Sequence, residues 1–182
     1  MKVLIDACVL YPTVMREMVI GAAAEGCFTP LWSPRILEEW ARAAAKLGPD
    51  QDSVARAEIS LLCDRWPKAS VLLHDADLRR LWLPDENDVH VLAAAIAGHA
   101  DVLLTLNNAD FPRHTLAEEG LRRESPDLFL LTFLNECPDA ITTVATRVLS
   151  QARTLSGEDW TIRRLMKKAR LPRLGKALET LL

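Results

Sequence analysis

Residues 2–5, Lys-Val-Leu-Ile, form a short apolar, β-prone run that ends in Asp6. A run this apolar suits a strand buried on both faces, as in a parallel sheet. After Pro12 and Thr13 the period becomes helical from Val14 to Ala24, and Gly26 closes it. Residues 28–32 predict a second short strand, weakened by Pro30. Ser33-Pro34 is an N-cap followed by proline at the first helical position. The helix it opens carries Ile36, Leu37, Trp40 and Ala44 to about Leu47, where Gly48-Pro49 stops it. Asp52 or Ser53 can cap the next helix, with Ala55, Ile59, Leu62 and Trp66 on its face. Residues 71–73 read as a candidate third strand, and 81–83 as extended or loop chain before Pro84.

The acidic cluster Asp85–Asp88 opens a strongly apolar helix, Val89 to Ala97, which ends at Gly98. Asp101 then turns the chain into Val102–Leu106, the strongest strand pattern present. A polar turn follows, Asn107-Asn108-Ala109-Asp110-Phe111-Pro112. Ser125-Pro126 starts another helix, and the chain after Pro138 reads as helical, interrupted near Ser156-Gly157 and at Pro172. The alternation of strands and helices predicts the α/β class: a parallel β-sheet flanked by helices, an α/β/α sandwich, with a helical C-terminal extension. The expected division is a domain over residues 1–137 and a basic helical extension over 138–182. Active sites of such folds lie at the carboxyl ends of the strands, where Asp6 and residues 107–110 fall.

Composition narrows the class. The chain has 182 residues, 49 % apolar and 26 % charged, which fits one domain with a possible appendage. Disordered, collagen-like and coiled-coil chains are excluded. No apolar run approaches the ~20 residues that span a bilayer, and Asp6 breaks any secretory pattern at the start. The four cysteines, Cys8, Cys27, Cys63 and Cys137, show no CxxC and no histidine at metal spacing. They read as reduced thiols of a cytoplasmic protein. The net charge of −3 hides an asymmetry. Residues 1–139 carry 13 Lys and Arg against 22 Asp and Glu, whereas residues 140–182 carry nine against three.

The acids carry the chemistry. Asp6 follows the first strand, Glu38 and Glu39 lie in the helix after Ser33, Asp85, Glu86 and Asp88 stand at the mouth of the apolar helix, and Asp110 follows the last strand. Carboxylates that converge repel one another unless a proton or a hard dication neutralises them. Mg²⁺ and Mn²⁺ prefer such oxygen donors, and an ion held this way can activate water at a phosphorus centre. Each acid also has an ordinary role open to it. Asp88 can be an N-cap, Asp85 and Glu86 can favour the helix dipole, Glu38 and Glu39 can be a solvated face, and Asp110 can be a turn residue. Asp6, at the end of so apolar a strand, is the hardest to explain structurally.

The strings VLIDACVLYP, SPRILEEWARAA and LPDENDVHVLAAAIAGHADVLLTLNNADFP resemble the PIN domain, and within it the VapC-like ribonuclease toxins of bacterial toxin–antitoxin pairs. The resemblance covers about residues 1–135, and the third string is its most specific part. It implies a Mg²⁺- or Mn²⁺-dependent endoribonuclease in which a metal-activated water cuts RNA. Carried over by position, the metal-binding and catalytic acids are Asp6, Glu39, Asp88 and Asp110. Glu39 is preferred to Glu38 because the family's acid precedes an aromatic or aliphatic residue, here Trp40. The family often has an acid just after the strand-end threonine, and here Asn107, two residues after Thr105, takes that place. Asp110 is then the candidate fourth carboxylate, and Asn107 can orient a metal-bound water. Thr105 matches the family's hydroxyl near the metal, and Asp85 is a supporting acid. The resemblance further implies a cognate antitoxin that covers or enters the acidic cleft and a possible homodimer; the apolar pattern of the chain predicts no membrane partner.

Other readings are weighed against the same residues. A haloacid-dehalogenase-type phosphatase needs a second acid two residues after the first, and Cys8 stands there. A Rossmann domain needs a glycine-rich loop that is absent. A catalytically inert PIN-fold module that binds RNA or a protein remains the alternative. The stretch 163–176, RRLMKKARLPRLGK, has seven basic residues in fourteen. Arg163, Arg164, Lys167, Lys168, Arg170 and Arg173 can contact RNA phosphates, form a solvated face, or dock an acidic partner. A basic amphipathic helix can also lie on a membrane surface. With only Trp160 nearby to stack a base, sequence-specific readout by this stretch is not supported.

Overall fold

The computed structural model describes residues 1–73 and 75–182. In chain order its elements are β1 (Lys2–Ile5), α1 (Ala7–Leu10), α2 (Thr13–Ala24), β2 (Thr29–Leu31), α3 (Pro34–Ala45), α4 (Pro49–Arg65) and α5 (Asp75–Arg80). A 3₁₀ turn (Glu86–Asp88) leads into α6 (Val89–Ala97), β3 (Val102–Leu104), α7 (Arg113–Glu118) and β4 (Arg122–Glu124). The remainder is α8 (Pro126–Glu136), α9 (Pro138–Ser156), α10 (Ile162–Lys168) and α11 (Pro172–Leu178). Among the described residues the strands form one parallel sheet in the order β2-β1-β3-β4. The class is α/β with flanking helices, as the alternating pattern predicts.

The chain divides into two compact units. The first comprises residues 1–11 and 29–124 and contains the whole sheet. β1 and β3 are its centre: Val3, Leu4, Ile5, Val102, Leu103 and Leu104 are all fully buried. That is why both strands are apolar there, Lys2 at the open start of β1 excepted, since neither presents these residues to water. Their register pairs Ile5 with Leu104. The residues that follow, Asp6 and Thr105, therefore emerge side by side, and the Asp6 amide donates to the Leu104 carbonyl at 3.1 Å. α3 begins as its sequence indicates, with the Ser33 hydroxyl accepting from the Ile36 amide at 3.2 Å.

The second unit comprises residues 12–28 and 125–182 and is helical. α2 and α9 approach closely at Gly21, where a Cβ would run into Val144. Phe28, Phe129 and Phe133 form an aromatic cluster with ring centroids 5.0–6.0 Å apart. The C-terminal helices are built in rather than loose. Leu165, Met166, Leu171, Leu174 and Leu178 are buried, and the Asp127 carboxylate accepts from the Arg173 and Leu174 amides at the start of α11. The sequence boundary at 137/138 falls inside this unit.

Several local expectations change. No strand forms at 71–73; the neighbouring contact is a single parallel bridge between Trp32 and Ser70. α4 starts at Pro49, three residues before the expected cap, because proline at its first turn and Asp50 and Asp52 just inside suit a helix N-terminus. α1, α5, α7 and β4 are additional elements.

Candidate metal centre

The carboxyl ends of β1 and β3 place one carboxylate, Asp6, beside two neutral donors, a hydroxyl and a thiol. Asp6 is 7 % exposed. Its Oδ2 accepts from the Thr105 hydroxyl at 2.6 Å and from the Cys8 thiol at 3.0 Å. Cys8 Sγ in turn accepts from the Leu106 amide at 3.3 Å. Burial, and then the charge of Asp6, push the Cys8 thiol up to about 12, so it acts here as a neutral donor. Thr105 is fully buried, and its Oγ1 accepts from the Asn107 amide at 3.0 Å, which starts the turn after β3.

Asn107 links the next two acids. Its side-chain amide donates to Asp88 Oδ2 at 2.9 Å and to Asp110 Oδ2 at 2.6 Å. Asp88 sits where the 3₁₀ turn becomes α6, and its side chain caps no helix amide. The capping role belongs to Asp85, whose Oδ1 accepts from the Asn87 backbone amide at 2.9 Å. Oxygens of Asp85, Asp88 and Asp110 lie within 4.8 Å of one another. Burial first, and then the charges of Asp6, Asp85 and Asp110, push the Asp88 carboxyl up to about 6; His90 opposes the rise. The loop carrying Asp110 is fixed from two sides. Phe111 is fully buried, and Arg123 of β4 donates to the carbonyls of Asn108 and Phe111 at 2.5 and 2.7 Å.

Glu39 stands apart from this oxygen cluster. Its Oε1 is 3.5 Å from Arg35 Nε and 2.8 Å from His90 Nε2. His90 is 1 % exposed. Despite the short approach to Glu39, neither of its ring nitrogens has an aligned hydrogen-bond partner. Glu38, one residue earlier, points to the exposed side of α3 and is held by Arg42 and Arg56.

Among the sequence candidates, Asp6, Thr105, Asn107, Asp88, Asp110 and Asp85 are therefore brought together, directly or through one intermediate, and Glu39 reaches the same end of the sheet through His90 on α6. The basic candidates Arg163, Arg164, Lys167, Lys168, Arg170 and Arg173 are exposed in the second unit. Arg163 pairs with Glu179 at 2.7 Å. Arg164 and Lys168 lie over the Trp160 ring at 5.1 and 4.8 Å from its centroid. That ring, 8 % exposed, has no free face on which a base could stack.

A family model of the PIN domain matches residues 2–109. The chain belongs to the PIN domain family. The matched span contains Asp6, Glu39, Asp85, Asp88, Thr105 and Asn107, and Asp110 follows it by one residue. PIN domains are generally nucleases that act on RNA or DNA, and they typically use divalent metals. No curated protein and no solved structure matches the chain. Among the described residues, no helix of this PIN domain protein is long and apolar enough to cross a membrane. Its donor set fits a hard dication. The converging ligand atoms of Asp85, Asp88 and Asp110 are all carboxylate oxygens, and burial and mutual repulsion at Asp88 supply the demand for positive charge.

Sequence reasoning overlooked three contributors. Cys8 reads in the sequence as a reduced thiol and as the residue that excludes a phosphatase, not as a partner of Asp6. Arg123 belongs to a polar edge strand with no apolar signature. His90 is the one polar residue in the apolar run 89–97, and that isolation was the available signal.

Proposed function

We propose that this PIN domain is a Mg²⁺- or Mn²⁺-dependent endoribonuclease and the toxin of a toxin–antitoxin pair. The observation that carries the nuclease reading is the gathering of Asp6, Asp88 and Asp110 around Asn107 and Thr105 at the carboxyl end of the sheet, with neutral hydrogen-bond donors. Asp6, Glu39, Asp88 and Asp110 would hold the ion, with Asp85 in support. When bound, such an ion neutralises the carboxylates, polarises a phosphodiester and acidifies a water molecule. The chain's own residues then have distinct tasks. Thr105 and Cys8 fix the orientation of Asp6, and Asn107 fixes Asp88 relative to Asp110. Arg35, half exposed beside Glu39 and bonded to the Asn87 carbonyl, offers a guanidinium to a phosphate. Hydrolysis adds water across one P–O bond and leaves a phosphate on one fragment and a hydroxyl on the other.

The exposed cations of α10 and α11 support RNA phosphate binding without base readout. An antitoxin, a homodimer and a cytoplasmic location follow from the VapC-like resemblance. Asn107, standing where the family often has an acid, favours one second reading: an inert PIN-fold module that binds RNA or a protein.

Labelled total RNA incubated with wild type and with Asp6→Asn, each with Mg²⁺, Mn²⁺ or EDTA, separates the two. Discrete cuts that vanish with EDTA and with the variant are expected. No cleavage by antitoxin-free, metal-supplied protein would move the assignment to the inert module.

A further inference from the structure

We infer that His90 is the positioning residue of Glu39: its Nε2–H holds the carboxylate in the orientation in which the opposite oxygen can serve a divalent ion. The inference rests on the reading of Glu39 as a metal ligand. His90 occupies the second position of α6, two residues after Asp88, so one helix start carries both an acid of the centre and the group that meets Glu39. The ring is buried, and Nε2 approaches Glu39 Oε1 to 2.8 Å. Neither ring nitrogen has an aligned partner. A buried imidazole left in that condition is unfavourable. Glu39 is the acceptor that approaches it, with Oε1 at 2.8 Å from Nε2. Both the imidazole protonated at Nε2 and the imidazolium present a hydrogen there, so the contact does not depend on which is populated.

Arg35 approaches the same Glu39 oxygen from α3 at 3.5 Å. Oε1 is thus approached from two sides, by His90 and by Arg35, which leaves Oε2 for a ligand role. A histidine that donates one ring hydrogen to a carboxylate behind a metal ligand is an outer partner of the centre, and losing such a partner costs about 10–100-fold in metal affinity.

The test is Mn²⁺ binding to the full chain, read from the free-ion electron paramagnetic resonance signal, for wild type, Glu39→Gln, His90→Gln, His90→Asn and the double variant Glu39→Gln/His90→Asn. Glutamine places its amide nitrogen where Nε2 lies, and asparagine does not. His90→Asn is expected to weaken Mn²⁺ binding by about tenfold or more, His90→Gln to restore most of it, and the double variant to bind no worse than Glu39→Gln alone. A merely structural role would not separate glutamine from asparagine in this way. Equal binding by both His90 variants and wild type, or additive losses in the double variant, would overturn the inference alone. Wild type that takes up no Mn²⁺, or Glu39→Gln that takes it up unchanged, would remove the metal reading of Glu39 and the inference with it. A measurement on the intact residue stands independently of variant folding. In the wild-type nuclear magnetic resonance spectrum a His90 ring N–H should be protected from exchange and should move in Glu39→Gln; a ring N–H that exchanges freely contradicts the contact.

Discussion

On the exposed face of α3 and α4, Glu38 accepts from Arg42 and Arg56, and Asp52 accepts from Arg56 as well. At the carboxyl end of the sheet, Asp6, Asp88 and Asp110 accept from Thr105, Cys8 and Asn107, none of which brings a positive charge. The two regions hold the same residue types under opposite electrostatics. Hydrogen bonds from Arg56 and Arg42 keep the Glu38 carboxyl below the usual range. Burial and neighbouring carboxylates push Asp88 up to about 6. Acids that have found arginines serve the fold and ask for nothing more. Acids gathered around neutral donors are oriented but not neutralised, and that is the condition in which a dication binds.

The sharpest way to break the contrast is to neutralise one acid in each region. Asp88→Asn should reduce RNA cleavage by about 10²–10³, since the several kcal/mol an ion supplies to the transition state convert to that range. The same substitution should raise the melting temperature of the metal-free protein in EDTA, because it relieves repulsion at the centre. A lower melting temperature would mean that Asp88 is a paired structural acid after all.

Acidity separates the regions next. Asp88 has a folded pKa above its ordinary value, so its contribution to stability is fullest below about 3.8 and is lost as pH rises toward about 6. Glu38 has a lowered folded pKa, so its contribution is present above the unfolded value and is lost as pH falls through the folded one. Thermal melts in EDTA between those limits should show wild type minus Asp88→Asn and wild type minus Glu38→Gln moving in opposite directions. Mn²⁺ affinity should fall by roughly tenfold per pH unit below the Asp88 midpoint, as one proton competes for the site. Differences of the same sign in the melts would erase the distinction.

A smaller effect belongs to the support of the loop. Arg123→Ala removes the donors to the Asn108 and Phe111 carbonyls and should lower cleavage by about tenfold, through displacement of Asp110. Glu38→Gln should have the smallest effect: unchanged cleavage, and a slightly lower melting temperature from a surface pair.

The elements that position the centre were readable because their signals are local. β3 is uniformly apolar and β1 is apolar after Lys2, α3 has its Ser33 cap and following proline, and α6 is an apolar run broken only by His90 and closed by Gly98. Parallel pairing of β1 with β3 then sets Asp6 beside Thr105. β4 was not readable, because Arg122-Arg123-Glu124 has no apolar alternation and becomes a strand only through pairing with β3. The run 71–73 differs for the converse reason: it is β-prone, but among the described residues the chain next to it makes one isolated bridge, at Ser70. The place of residues 12–28 with the C-terminal helices depends on contacts far apart in sequence, such as Gly21 against Val144. Within the centre, strand ends and helix mouths drew attention to Asp6, Asp88 and Asp110. The contact between Glu39 and His90 joins two helices about fifty residues apart, and no spacing in the chain encodes it.

The most direct measurement is calorimetric titration of Mn²⁺ into the metal-free full chain at neutral pH, for wild type and Asp88→Asn side by side. The account predicts saturable binding by wild type and its loss in the variant, with both proteins folded. Binding that is absent from wild type, or unchanged in Asp88→Asn, would contradict the claim that the unneutralised acids at the end of the sheet form a metal centre.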